Sequence, residues 1–223
     1  MKKLSVAATL LATALSFPAS ATVVSGAVTG GTVLALGGVF TRLTVPLSNP
    51  FGSPNTVGND NYQSNNLFAF NEDQNIILAA PLVLDVGLGS IAAGTIVASH
   101  YVFFDPAQSQ RVIGTVNFDS DILGVITSTG HLSASDFLAN TGVNYLSPAA
   151  RGLEPGDSVT ISGPRQILFD TVADSPGDYI RVITRFSPTG GGGGAVPEPG
   201  SVAVLGVGLL GLAAAWRLRN RRA

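Results

Sequence analysis

Asn117, Asp119 and Asp121 stand at alternate positions of one short segment. Hard oxygen ligands at that spacing suit calcium. An EF-hand loop counted from Asn117 would need glycine in sixth place and glutamate in twelfth, where Ile122 and Ser128 stand, so the segment is not an EF-hand. A calcium site would instead gather several loops. Asp119 and Asp121 are its first candidates, with Asp105, Asp170, Asp174 and Asp178 as further ones. The same residues also fit plain turn chemistry, in which an Asp oxygen accepts nearby backbone N–H groups. Two carboxylates facing each other across a sugar hydrolyse glycosides, but fourteen acids always supply some pair, and no spacing singles one out. His100 and His131 have no diagnostic metal spacing and read as packed or solvated.

Other chemistries drop out. The chain has no cysteine, which removes disulfides, thiolate metal sites and thiol nucleophiles. Its only lysines are Lys2 and Lys3, so Schiff-base and Ser–Lys catalysis are excluded downstream. There is no G-x-S-x-G elbow. Gly206, Gly208 and Gly211 match G-x-G-x-x-G, but inside an apolar run with no preceding strand and no following acid. Gly87, Gly89 and Ala92 match G-x-G-x-x-A, again in the wrong context for a nucleotide. Between residues 22 and 200, six arginines against fourteen acids leave a net charge of −8. That excludes nucleic acid as a partner, since phosphate binding needs clustered positive charge. It suits divalent cations or neutral glycans. Tyr62, in an Asn-rich loop, is the tyrosine best placed to offer a glycan an exposed ring. No cofactor is expected apart from calcium.

These residues must be carried by strands. Apolar alternation and turn residues predict strands over 39–47, 75–86 (interrupted by Pro81), 95–104, 111–118, 122–128, 158–161, 167–172 and 178–186. In the last, Ile180, Val182, Thr184 and Phe186 are expected to face inward and Arg181 and Arg185 outward. One short helix is expected from a Ser133 cap, with Asp136 at its third position, to about residue 140. Residues 49–66 form a long Asn/Ser/Gly/Pro loop of the kind that is functional or mobile. The expected fold is mainly β, a β-sandwich of jelly-roll type with one short helix, followed by a C-terminal transmembrane helix.

The two ends carry the clearest patterns. Lys2 and Lys3 precede an apolar run over 4–17, and Ala19 and Ala21 form an A-x-A cleavage site. That is a secretory signal peptide over 1–21, removed by signal peptidase to leave Thr22 first. A β-rich ectodomain over 22–189 follows, then a glycine-rich linker over 190–196. Pro197, Glu198 and Pro199 hold the next stretch extended. Residues 201–216 are uncharged and end in Trp216. As a helix they would cover about 24 Å, slightly less than a hydrocarbon core of about 30 Å. Arg217, Arg219, Arg221 and Arg222 would stay cytoplasmic.

Segment 197–223, with Pro-Glu-Pro, a short Gly/Leu/Ala/Val helix and a basic tail, resembles the PEP-CTERM sorting domain. The resemblance implies an exosortase substrate of a diderm bacterium, with Pro197, Glu198 and Pro199 as the sorting signal. It would sit in the inner membrane in transit, then be cut near the motif and released to, or attached at, the cell surface or extracellular matrix. The function expected is a non-enzymatic structural protein associated with exopolysaccharide or biofilm. The alternatives are a carbohydrate-binding module, with or without calcium, and a glycan hydrolase.

Overall fold

The computed structural model describes residues 21–186. The expected signal segment up to residue 20, the linker, the sorting residues, the helix over 201–216 and the arginine tail lie outside the described residues. Among the described residues no helix is long and apolar enough to cross a membrane.

The described chain is mainly β. Its strands are β1 Val23–Gly30, β2 Phe40–Arg42, β3 Thr56–Val57, β4 Leu67–Asn71, β5 Ile76–Ile77, β6 Leu82–Val83, β7 Val86–Gly87, β8 Ser90–Ile91, β9 Ile96–Phe104, β10 Gln110–Phe118, β11 Ile122–Ile126, β12 Asn144–Tyr145, β13 Ser158–Gly163, β14 Gln166–Ala173 and β15 Asp178–Arg185. Two short helices, α1 Thr32–Ala35 and α2 Thr129–Ala134, and 3₁₀ turns at Asp136–Leu138 and Pro148–Ala150 complete it.

One sheet runs β1-β10-β14-β13 and is antiparallel throughout. The other runs β2-β4-β9-β15-β11-β7, with β5 also beside β9. Strand β10 shows why they meet. Val112, Gly114, Val116 and Phe118 are buried while the residues between them are partly or fully exposed, so one face is dry and one wet. Val112, Val116, Ile167 and Phe169 of the first sheet share a core with Val102, Phe104, Ile180 and Val182 of the second. Each such side chain contributes about 1.5–3 kcal/mol by leaving water.

The inner strands of the larger sheet have no wet face. Phe70, Tyr101, Phe103, Tyr179 and Ile183 on its far side pack beneath a layer of loops, short strands and short helices that includes Leu47, Leu82, Leu132 and Leu138. Strands β9 and β15 are therefore buried on both faces along nearly their whole length. This corrects the expected outward Arg181, whose side chain has 0% exposure; Arg185 does face solvent. Alternation assumed a half-wet strand, and the loop layer removes the water.

Three further expectations change. The strand order departs from a jelly roll: the sheets are unequal, and β2 pairs with β4 in parallel. The helix begins before Ser133, at Thr129, and Asp136 opens the 3₁₀ turn that follows. Residues 49–66 are held in place: Asn49 Nδ2 donates to the Ser53 carbonyl at 2.8 Å, Leu47 N donates to Asn55 Oδ1 at 2.7 Å, and β3 inside the segment pairs with β12. Its asparagines replace missing backbone partners rather than loosen the chain.

Candidate functional site

The candidate calcium ligands have partners inside the chain. Asp119, in the turn after β10, accepts from Thr22 N at 2.7 Å through Oδ1 and from Thr22 Oγ1 at 3.2 Å through Oδ2. Asp121 Oδ1 accepts from Arg165 Nε at 2.9 Å on the surface. Asp170 takes a bidentate pair from Arg111 at 2.9 and 2.8 Å. Asp174 accepts from Ser175 N. Among the described residues no group of three or more His, Asp or Glu side chains is placed to share a metal ion. Each of these carboxylates is bonded to a backbone N–H, a hydroxyl or an arginine of the same chain.

Asp105 and Asp178 differ, since both are buried at the same end of the larger sheet. Asp178 pairs in register with Phe104, the residue before Asp105. Asp105 Oδ2 accepts from Tyr62 N at 3.0 Å, while Asp105 Oδ1 and Asp178 Oδ2 have no hydrogen-bond partner. Burial pushes Asp105 up to about 6, with the charge of Asp60 adding and the Tyr62 N–H opposing. Burial pushes Asp178 up to about 7, opposed by the Thr171 hydroxyl and aided by the charges of Asp157 and Glu154.

Above them opens a cleft of about 400 Å³, with Ser109, Thr129, Glu154, Asp174 and Asp178 in its lining. Its one basic lining residue, Arg151, turns its guanidinium away to Asp136, at 3.0 and 2.7 Å. Asp178 lines the cleft, but its unpartnered oxygen is buried from solvent.

The strongest polar cluster was not legible as a site. Arg181 on β15 meets Glu72, which follows β4, at 2.7 and 2.8 Å with both side chains fully buried. Ser99 Oγ also donates to Glu72, and Arg181 Nη1 donates to the Leu132 carbonyl and to Ser135 Oγ. The Arg181 guanidinium lies 5.8 Å from the Tyr101 ring centre. Opposite charges and donors match here, so the cluster ties α2 to the sheet.

The histidines are spread apart. His100 on β9 is fully buried between Asn71 and Thr184, and burial pushes it down to about 3, so it is neutral. His131 Nδ1 lies 2.6 Å from Asp85 Oδ1, an Asp–His pair at the surface. The nearby Ser128 hydroxyl donates to Asp85, not to His131, so the three groups do not form a nucleophile–base relay. Asp85 also accepts from Thr127 N and Ser128 N, tying the residues just before α2 to a distant loop. Gly124 lets that loop approach: a Cβ there would come within 2.6 Å of the Val86 carbonyl oxygen.

Tyr62 is not an exposed platform. It is 3% exposed and packs with ring centres 4.7 Å from Phe68 and 4.8 Å from Phe103. The asparagine-rich segment folds inward and carries the ring into the core.

The decisive comparison concerns the other end of the chain. Residues 195–222 match the family model of the PEP-CTERM protein-sorting motif. The chain carries a PEP-CTERM sorting motif. The PEP-CTERM match takes in Pro197, Glu198, Pro199 and the four tail arginines. A PEP-CTERM motif in this C-terminal position marks an exported protein handled by an exosortase and sent to the cell surface. No curated protein and no solved structure matches the chain.

Proposed function

We infer that this is a non-enzymatic surface or matrix protein whose β domain is the cargo of its own C-terminal sorting segment. Signal peptidase removes residues 1–21. The C-terminal helix and arginines hold the chain in the inner membrane. An exosortase then acts near Glu198, and the domain joins the extracellular polysaccharide or biofilm matrix. The observation that carries this reading is the sorting motif over 195–222, directly behind a run of five glycines that gives a protease room. A structural role is supported by the carboxylates, most of which hold backbone groups or arginines of the same chain. The reading requires no cofactor.

The intact mass of native protein recovered from membrane, wall and culture fluid tests it. A product ending near residues 197–200 is expected outside the membrane. A product that keeps residues 201–223 in every fraction would make this a plain membrane-tethered protein and end the exosortase reading.

A further inference from the structure

The N-terminal end of the described chain is pinned at one residue. Thr22 N donates to Asp119 Oδ1 at 2.7 Å, Thr22 Oγ1 donates to Asp119 Oδ2 at 3.2 Å, and Asp119 N donates to the Thr22 carbonyl at 3.1 Å. The next residue is fixed as well. Val23 is fully buried, donates to Asn71 Oδ1 at 2.9 Å, accepts from Arg42 Nη1 at 2.9 Å and pairs with Phe118. The Thr22 nitrogen therefore has little freedom, and both Asp119 oxygens serve one residue.

We propose that Asp119 is the receptor for the mature N-terminus: once the Ala21–Thr22 bond is cut, the Thr22 α-ammonium takes the place of the amide N–H and forms an ion pair with the Asp119 carboxylate. This rests on the signal-peptide part of the functional reading. In the cut, one water adds across the peptide bond. Ala21 keeps the oxygen as a carboxylate, and the Thr22 nitrogen leaves as an amine that is protonated at neutral pH, because an α-amino group titrates near pH 8. The amide–carboxylate hydrogen bond, charged only on its acceptor, becomes an ion pair in which donor and acceptor both carry charge. Removing the leader thus completes the fold: the processed chain has a cation at Asp119 that the precursor lacks.

The sequence provides a clean probe. Lys2 and Lys3 leave with the leader, so the mature chain has a single amine, that of Thr22. The full mature chain is treated at neutral pH with an acetylating N-hydroxysuccinimide ester. Acetylation is expected to be roughly tenfold slower than in Asp119→Asn, and also slower than in a chain that keeps Ala21, whose amine sits one residue (about 3.8 Å) further along. Thermal unfolding supplies a second readout: Asp119→Asn should lower the midpoint of the Thr22 chain by more than that of the Ala21-extended chain. Equal acetylation rates, or equal midpoint losses in the two backgrounds, overturn the proposal. So does a native N-terminus other than Thr22. A calcium-dependent midpoint rise that Asp119→Asn abolishes would make Asp119 a metal ligand and also overturn it. These readouts concern the N-terminus alone, so they stand or fall separately from the C-terminal mass that tests sorting.

Discussion

Glu72 and Arg181 form a forked ion pair from which water is excluded: Nε to Oε2 is 2.7 Å, Nη2 to Oε1 is 2.8 Å, and both side chains have 0% exposure. Such a pair adds little over a well-packed apolar pair, but breaking it strands a buried charge. Arg181→Met alone should therefore cost about 3–5 kcal/mol in a urea titration of the mature protein. The double variant Glu72→Leu with Arg181→Met should recover most of that loss. A single variant within about 1 kcal/mol of wild type would show that Glu72 finds another counter-charge.

Asp178 and Asp105 predict a slope of stability with pH. Their folded values are pushed above the ordinary carboxylate range, to about 7 and about 6. Between about pH 4 and pH 7 the folded state therefore holds protons that the unfolded state has released, and stability falls as pH rises through that window. Asp178→Asn removes one such group while leaving Asp157, Glu154 and Thr171 around it. The variant should be more stable than wild type at pH 8 by on the order of 2 kcal/mol, with a flatter profile. Parallel profiles would mean that Asp178 is already charged in the folded protein.

Asp85 predicts the opposite slope. Burial pushes its carboxyl up, but the N–H groups of Ser128 and Thr127, His131 and the Ser128 hydroxyl together hold it below the ordinary range. Its contribution is present above about pH 4 and is lost as pH falls. Asp85→Ala should cost about 1–2 kcal/mol at pH 7, as lost caps do, and less near pH 3. Thermal midpoints at the two pH values check this. An equal loss at both would assign the effect to packing.

Glu198→Ala, or removal of Arg217, Arg219, Arg221 and Arg222, should leave unprocessed chain in the membrane fraction. Immunoblots of fractionated cells read this directly. Normal processing in both variants would remove the role assigned to the motif.

The long strands were legible because their residues alternate against a single shared core. Strands β10, β14 and β15 lie within about two residues of their expected bounds. Strand β1 was missed: only Val23 of Val23–Gly30 is fully buried, and glycine, serine and exposed Val24 blur its period. The Ser133 cap failed because the helix starts earlier, at Thr129, after residues that Asp85, far away in sequence, holds by their backbone N–H groups. Arg181 was misplaced for a related reason. Neither its buried partner Glu72 nor the loop layer above it leaves a mark in the local pattern of 178–186. Asp119 was picked out by residue type, but its partner Thr22 lies 97 positions away in the sequence, beyond the reach of any spacing rule.

Strand β15 is the last element of the described residues on the side of the sorting motif, and it lies between β9 and β11 rather than at a sheet edge. In the anchored state proposed above, drag on the domain would enter through this inner strand. Force along β15 must shear two ladders of hydrogen bonds together and pull Tyr179, Arg181 and Ile183 from beneath their cover, whereas an edge strand would peel one bond at a time. On the proposed reading, the domain would be tethered through an inner strand held by two ladders, which resists tension better than an edge strand would.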